Sequence, residues 1–142
     1  MKIKSIAPCG LICDLCYGFQ RKKDKCDGCN SNGNINKYCL KCAIKNCSEK
    51  IDKSDLCFKC NKYPCKRIKD LEKRYKNKYG ESLICNFEQI KEKGIRLFIK
   101  EQNEKWKCPD CGMMLCVHKE NCANCGKPNT RFPENMRKQN KN

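Results

Sequence analysis

Cysteine is the residue that most constrains how this chain can fold. It occurs seventeen times in 142 residues, and twelve of these cysteines form six C-x2-C pairs, at 13/16, 26/29, 39/42, 57/60, 108/111 and 122/125. A C-x2-C turn presents two sulfurs to one metal ion, and two such turns complete a tetrahedral zinc site. The pattern therefore predicts a fold that is held together by several bound metal ions, with zinc as the expected metal.

The cysteines are expected to be reduced rather than paired in disulfides. Residues 1–8 contain no apolar stretch of the kind that a signal peptide needs, and no run of about 18 apolar residues predicts a membrane span. An odd number of cysteines cannot pair completely within one chain, and disulfides persist only in oxidising compartments. These features indicate a cytoplasmic protein without a membrane segment.

Without its cysteines the chain is poor in residues that form a core. The apolar fraction is 39%, and it falls to about 27% when cysteine is left out, while 34% of the residues are charged. This composition approaches that of disordered chains. We therefore expect metal binding, rather than apolar packing alone, to give the chain a definite structure.

The spacing of cysteines along the chain predicts four segments. Residues 1–80 form a Cys-rich metal-binding domain of zinc knuckles ending in a basic helix, 81–105 a helical connector, 106–127 a zinc ribbon, and 128–142 a flexible tail. The expected fold class is small, metal-dominated and α+β or irregular, with two central α-helices between the knuckles and the ribbon.

Apolar periodicity locates the central helices. One helical face carries Ile68, Leu71, Tyr75 and Tyr79 and is expected to end at Gly80. A second helical stretch carries Ile90, Ile95, Phe98 and Ile99, with Gly94 as a break near its middle. The two stretches are expected to pack together.

The C-terminal pairs give the cleanest predicted metal site. Cys108/Cys111 and Cys122/Cys125 are each followed by glycine, which permits the positive φ of a tight knuckle. Four thiolates at this spacing are typical of a zinc ribbon. Cys116 and His118 lie between the two knuckles as substitute ligands, although a lone histidine is more often hydrogen-bonded than bound to metal.

The N-terminal cysteines allow several groupings. Neighbouring pairs suggest 13/16 with 26/29 and 39/42 with 57/60, and the spacing C-x2-C-x4-C occurs at 39/42/47 and again at 57/60/65. The C-x3-C-x2-C triplet at 9/13/16 also has the spacing of [4Fe–4S] radical enzymes, but the chain lacks the strand–helix alternation of their barrel. An iron–sulfur cluster for electron transfer or redox sensing remains the alternative to zinc. The eleven candidate ligands are Cys9, Cys13, Cys16, Cys26, Cys29, Cys39, Cys42, Cys47, Cys57, Cys60 and Cys65.

Several motifs together resemble a known family. They are IAPCGLICDLC at 6–16, CDGC at 26–29, the paired triplets and YPC at 63–65. Over about residues 6–75 the chain is similar to a cysteine-rich family of bacteria and archaea, domain of unknown function 3795, and WKCPDCG at 106–112 through CG at 125–126 looks like the ribbon that some members append. The resemblance implies metal binding in a cytosolic setting and brings no activity with it.

Basic residues make nucleic acid the candidate partner. The formal net charge is +16, which four-thiolate zinc sites reduce to about +8 to +10. Aromatic rings between cations suit base stacking and phosphate contact, although a solvated basic face is an equally good interpretation. The candidate contacts to RNA or DNA are Tyr17, Phe19, Arg21, Lys22, Lys23, Lys66, Arg67, Lys73 and Arg74.

The sequence favours a binding function over catalysis. It contains a single histidine, no glycine-rich phosphate loop and no recognisable pairing of nucleophile and base. Cys85 and Cys116 are the two thiols left without a metal assignment, and we expect them to be small buried side chains. Metal storage or buffering is a third hypothesis, and the sequence identifies no protein partner.

Overall fold

The computed structural model describes residues 1–52 and 55–137. Five α-helices occur in these ranges: α1 Tyr17–Gln20, α2 Lys37–Leu40, α3 Lys66–Tyr79, α4 Leu83–Lys93 and α5 Ile95–Lys105. Short 3-10 turns lie at Ile3–Ser5, Cys13–Leu15, Cys57–Lys59 and Glu134–Met136. The long helices are consecutive and separate a loop-rich N-terminal region from a C-terminal unit.

The predicted β component of the fold is wrong for the described part of the chain. Antiparallel pairing there is limited to isolated bridges, Ile6 with Ile12, Lys107 with Met114 and Asn121 with Pro128, and no sheet forms. The reason is that the backbone of the cysteine-rich segments is taken up by tight turns. The molecule is small, mostly helical and rich in cysteine.

The central helices follow the predicted apolar periodicity. In α3, Ile68 is 1% exposed, and the helix ends at Gly80, which has φ +68° and donates its backbone N–H to Lys76. The second helical stretch is two helices, α4 and α5, because Gly94 at φ +85° stops the first one. None of the helices in the described ranges combines the length and apolar character that spanning a bilayer requires.

One apolar core runs through all parts of the molecule. It joins Ile6 and Leu15 from the N-terminal region with Phe87 and Phe98 from the helices and Leu115 from the C-terminal unit. Each of these side chains is at most 2% exposed. The cysteine-rich regions therefore share one core with the helices and are not separate units connected only by the chain.

Three residues of the segment predicted to be a flexible tail contact the C-terminal unit. Asn129 is fully buried, and its side-chain amide donates to the carbonyls of Cys116 and Lys119, both at 2.9 Å. Phe132 is 8% exposed, and Arg137 donates to the Asn129 carbonyl. A buried amide with satisfied hydrogen bonds fixes the backbone that carries it. Residues 138–142, the remainder of that predicted segment, lie outside the described residues.

Candidate metal centre

The C-terminal cysteine site consists of Cys108, Cys111, Cys122 and Cys125. The Sγ atoms of Cys108 and Cys125 are 3.7 Å apart, and those of Cys111 and Cys122 are 3.6 Å apart. All four sulfurs lie within 4.8 Å of one another, and no other group of metal-ligating side chains among residues 1–52 and 55–137 is gathered so closely. The sequence prediction that these four cysteines come together is confirmed.

Two turns of the same backbone design hold the four sulfurs. In the first, the N–H of Cys108 donates to the Met113 carbonyl at 2.8 Å, and the N–H of Gly112 donates to Cys108 at 2.9 Å. The second repeats this pattern, with Cys122 donating to the Lys127 carbonyl and Gly126 donating to Cys122. The glycines have φ +76° and +77°, a region where a side chain would be strained.

The spacing of the four sulfurs fits a tetrahedral metal ion. A zinc–sulfur bond is about 2.3 Å long, which places the sulfurs of a regular tetrahedron about 3.8 Å apart. The two measured separations, 3.7 and 3.6 Å, lie close to that value. A disulfide needs its sulfurs about 2.05 Å apart, and all seventeen cysteines are free thiols.

Burial divides the C-terminal cysteine site into an inner and an outer half. Cys108 and Cys122, the first cysteine of each turn, are 2% and 3% exposed, whereas Cys111 and Cys125 are exposed. Trp106, two residues before Cys108, is 2% exposed in the same core. The site is therefore anchored in the core on one side and open to an incoming ion on the other.

The thiols of the two exposed cysteines differ in acidity. A hydrogen bond with the Asn124 side chain, followed by one from the Met113 backbone amide, lowers the pKa of Cys111 to about 6. The Lys127 backbone amide lowers the pKa of Cys125, but desolvation and the adjacent sulfurs outweigh it and raise this pKa to about 12. Close sulfurs resist a second negative charge. A cation bound by all four would displace the remaining protons.

Asn124 is a residue that the sequence argument did not single out. It lies inside the second C-x2-C turn, between the two cysteines, and bonds to a cysteine of the other turn. A polar residue at that position was visible in the sequence. The contact between the two turns depends on how they pack against each other, and the spacing of the cysteines along the chain does not predict that packing.

The seven cysteines Cys9, Cys13, Cys16, Cys26, Cys29, Cys39 and Cys42 are called here the N-terminal cysteine group. The Cys29 N–H donates to Cys13 Sγ at 3.3 Å, and the Gly28 N–H donates to Cys26 Sγ at 3.4 Å. Backbone N–H donors of this kind stabilise the negative charge of a thiolate. The predicted association of the pairs 13/16 and 26/29 therefore has contacts that support it.

The structure places Cys39 differently from the suggested pairing of 39/42 with 57/60. The neighbouring thiols shift the pKa of Cys29: Cys13 raises it, Cys39 opposes this, and desolvation adds to the rise, so that the pKa is about 12. Cys39 therefore lies close to Cys29, inside the N-terminal cysteine group. Cys57 and Cys60 instead line a small cavity together with Cys47 and Cys65, and these four are called here the cavity cysteines.

The sequence profile of one protein family matches residues 5–70, and its description is "Protein of unknown function (DUF3795)". The matched segment, residues 5–70, lies in the N-terminal part of the chain and is called here the DUF3795 region. The match includes all eleven N-terminal candidate ligands and confirms the resemblance inferred from the motifs. No curated protein and no solved structure matches the chain. The C-terminal cysteine site lies beyond the DUF3795 region.

His118 connects the C-terminal unit to the DUF3795 region and α3 through hydrogen bonds. Its Nδ1 accepts the Tyr17 backbone N–H at 3.2 Å, so the ring proton of the neutral form is on Nε2, which lies 3.2 Å from the Tyr75 hydroxyl. The ring also packs edge-on against Tyr79 at 4.7 Å. Both ring nitrogens of His118 therefore have hydrogen-bond partners within the fold.

The two unassigned cysteines differ in their surroundings. Cys116 is 4% exposed, as expected for a small core residue. Cys85, expected to be buried, is exposed instead, because it lies on the outer side of α4, and its sulfur accepts a hydrogen bond from Gln89. Neither belongs to the C-terminal cysteine site or to the cavity cysteines.

The candidate nucleic-acid contacts fall into two sets. Four of the five in the DUF3795 segment 17–23, namely Tyr17, Phe19, Arg21 and Lys22, line a groove of about 1270 Å³ shared with the C-terminal unit, while Lys23 is exposed. Lys66, Arg67, Lys73 and Arg74 are exposed on α3 and do not line that groove. Lys119 from the C-terminal unit lies 4.1 Å from the Tyr17 ring.

Proposed function

We propose that this protein is a multi-site metal-binding module of the reducing cytoplasm, and that its C-terminal cysteine site is a structural zinc ribbon. The observation that carries the proposal is the set of four sulfurs in near-tetrahedral spacing on two matching turns. In such a site the protein supplies all four ligands. This is typical of structural zinc, because catalytic zinc keeps one position open for water or substrate.

The residues of the site have separable roles in this proposal. The bound ion would neutralise thiolate charge and cross-link the two turns. The turns orient the sulfurs through their backbone hydrogen bonds, and Asn124 supports the charge on Cys111. Because Cys108 and Cys122 are buried in the core, an ion bound to them would also attach the two turns to the core.

Elemental analysis of full-length protein purified without oxygen tests the zinc proposal. We expect Cys122→Ser to lose one equivalent of zinc, whereas Cys85→Ser, which changes an exposed cysteine outside the site, keeps the wild-type content. Equal zinc content in wild type and Cys122→Ser would refute the site. Loosely held metal that varies between preparations of the wild type would instead support metal storage.

The N-terminal cysteine group favours an iron–sulfur cluster as a second candidate. It contains seven cysteines, more than one zinc ion uses, and burial of Cys9, the first member of the triplet at 9/13/16, raises its pKa to about 12. An anaerobic preparation that is coloured and contains iron and sulfide would support this candidate. Colourless protein with zinc and no iron would exclude it.

Nucleic-acid binding is a further candidate, favoured by the groove beside segment 17–23. Tyr17 and Phe19 offer ring faces for stacking, and Arg21, Lys22 and Lys119 offer cations for phosphates along the same groove. On this hypothesis the metal sites hold the two walls of the groove in place. The exposed cations of α3 form a separate basic surface, for which solvation alone is a sufficient explanation.

Fluorescence anisotropy with a single-stranded RNA of random sequence tests this candidate. Each lost phosphate contact should reduce the slope of log K against log salt by about 0.7 to 0.9. We therefore expect Lys22→Ala to reduce the slope and Lys73→Ala on α3 to leave it unchanged. Affinity that stays flat between low and physiological salt would contradict nucleic-acid binding.

A further inference from the structure

The cavity cysteines converge from three separate segments of the DUF3795 region. Cys47 follows α2 at the end of a turn, Cys57 and Cys60 lie on the 3-10 turn before α3, and Cys65 immediately precedes α3. All four line one cavity of about 30 Å³, and their sulfurs are farther apart than those of the C-terminal cysteine site, so a bound ion would have to draw them together. This convergence differs from the grouping that chain order suggests, because Cys47 leaves its own triplet to join the next one.

Backbone hydrogen bonds fix the turn that carries Cys57 and Cys60. The N–H of Cys57 donates to the Pro8 carbonyl at 2.9 Å, which ties the turn to the N-terminal segment, and the N–H of Cys60 donates back to Cys57 at 3.0 Å. The cavity also has an apolar wall, because Ile44 and Ile68 line it and are 8% and 1% exposed. Thiolates against such a wall have little water to solvate them.

The cavity is large enough for a single ion. A species of the size of one water molecule needs about 10–15 Å³ of cavity volume, and this cavity offers about 30 Å³. A [4Fe–4S] cluster contains several iron and sulfide atoms and would need a much larger space. The size therefore favours a mononuclear site over a cluster at this position.

Positive charge surrounds the cavity. Lys50 and Arg67 line it beside the four sulfurs. Four thiolates with one divalent ion carry a net charge of −2, so cations at the rim complement the loaded site. The N-terminus of the 14-residue helix α3 adds to this field at Cys65.

Tyr63 is an independent indication that the cysteines of the cavity act as thiolates when an ion is bound. Its hydroxyl is buried and has no hydrogen-bond partner among the described residues, although the residue lines the cavity. A buried donor without an acceptor is costly. A metal-bound thiolate is an acceptor that this cavity can provide, since ligand sulfurs are commonly supported by nearby donors.

We propose that Cys47, Cys57, Cys60 and Cys65 form a second metal site that binds one divalent cation, zinc, in tetrahedral thiolate coordination. The proposal extends the metal-binding function to the DUF3795 region but does not depend on the C-terminal cysteine site. It also explains how the C-x2-C-x4-C repeat is used. The second triplet supplies three ligands, and the last cysteine of the first triplet supplies the fourth. The N-terminal cysteine group keeps Cys39 and Cys42.

Cadmium-113 NMR of the full-length protein tests the ligand assignment directly. After exchange of zinc for cadmium, we expect one cadmium resonance to correlate with the β protons of all four cavity cysteines, and a separate one with those of the C-terminal cysteine site. A cadmium resonance that joins Cys57 and Cys60 to Cys39 and Cys42 would overturn the proposal. An iron–sulfur cluster bound by the cavity cysteines would overturn it as well.

Metal counting with matched variants provides a second measurement. Cys47→Ser should lose one equivalent of zinc while the cadmium resonance of the C-terminal cysteine site persists, and Cys85→Ser should lose none. Retention of full zinc content by Cys47→Ser would refute the assignment of its sulfur. If the C-terminal resonance alone were missing from wild type, the ribbon proposal would fail and this one would stand.

Tyr63→Phe tests the role of the hydroxyl as a positioning group. The variant keeps the ring and should keep one zinc ion in the cavity, but with about 10-fold weaker affinity in a competition with a chelator, as is usual when a supporting hydrogen bond to a ligand is removed. Unchanged affinity would show that the hydroxyl does not support the bound thiolates.

Discussion

Individual positions in this protein are constrained by close packing contacts. Gly10 lies between the first two cysteines of the DUF3795 region at φ +92°, and a Cβ there would lie 2.9 Å from Cζ of Phe87 and 3.1 Å from the Leu83 carbonyl oxygen. Asn86 from the same helix donates to the Gly10 carbonyl at 2.9 Å. The glycine therefore allows α4 to pack directly against the segment that carries Cys9 and Cys13.

We predict that Gly10→Ala destabilises the metal-loaded protein more than Gly94→Ala does. Both glycines have positive φ, so each alanine incurs backbone strain of about 1–3 kcal/mol. Only Gly10 faces a crowded space, since nothing lies within 4 Å of a Cβ at Gly94, and overpacking adds about 1–3 kcal/mol. Urea denaturation of the two variants measures the difference, and equal losses would contradict the packing argument.

His118 should contribute a pH-dependent part of the stability. Burial, with a smaller effect of Lys119, lowers its pKa below the ordinary value of 6.5. The folded state therefore binds fewer protons than the unfolded state as the pH falls below about 6.5, and the stabilisation that His118 provides at neutral pH is lost on acidification.

The matching experiment compares wild type with His118→Phe, which keeps a ring but leaves the Tyr17 N–H and the Tyr75 hydroxyl without their partner. We expect a loss of about 1–3 kcal/mol at pH 7.5 that becomes smaller at pH 5.5. Both proteins must carry the same amount of zinc at each pH. A difference that stays constant or increases on acidification would contradict the assignment of a buried neutral histidine.

At the level of elements, α3 and α4 are joined by a cap that uses residues of both. The Ser82 hydroxyl donates to Glu72 Oε1 at 2.5 Å and accepts the Cys85 N–H at 3.0 Å, while Glu72 Oε2 accepts the Ile84 N–H at 3.2 Å. Free N–H groups at a helix start need such partners, and a carboxylate there also interacts favourably with the helix dipole. Glu72 therefore fixes the angle at which α4 leaves α3.

We expect Glu72→Ala to destabilise the protein by about 1.5–3 kcal/mol, the usual range for hydrogen bonds to a charged group. Asp70→Ala is the matched control two residues earlier on the same helix. Its carboxylate is paired with Lys66, and the side chains are 60% and 87% exposed, so its loss should be below about 0.5 kcal/mol. Equal effects in thermal or urea denaturation would show that the cap does not hold the two helices together.

At the scale of the whole molecule, candidate metal ligands and apolar side chains share one core. Cys57, Cys108 and Cys122 belong to the buried cluster that also contains Phe98 and Trp106. The core is more continuous than the cysteine-free composition suggests, because α3, α4 and α5 bring their few apolar residues to one place. Ions at the periphery would then lock segments that already contact this core.

Removal of metal should loosen the C-terminal unit first. Structural zinc contributes about 10–16 kcal/mol in small zinc domains, comparable with the whole stability of an ordinary domain. After a strong chelator has removed the metal, we expect Trp106 fluorescence to shift towards that of a solvent-exposed indole and helical circular dichroism to decrease. Re-addition of zinc should reverse both changes. Native spectra after verified metal removal would show that packing alone maintains the fold.

The sequence by itself determined the elements whose signals are local. The C-x2-C-G turns of the C-terminal cysteine site, the apolar face of α3 with its stop at Gly80, and the break at Gly94 all depend on residues a few positions apart. Glycine after a knuckle or at a helix end leaves few other conformations to the chain. The similarity of residues 5–70 to the DUF3795 family was visible for the same reason, since its motifs are short runs.

Only the tertiary structure decided how distant segments are matched. Chain order suggested that 39/42 pair with 57/60, whereas folding brings Cys47 to the turn at 57/60 and Cys39 to Cys29. The packed segment 128–137 likewise depends on Asn129 reaching two carbonyls of the C-terminal unit. Identical C-x2-C turns are chemically equivalent as ligands, so their spacing cannot select partners. That selection is made by the apolar contacts and backbone hydrogen bonds that dock one segment on another.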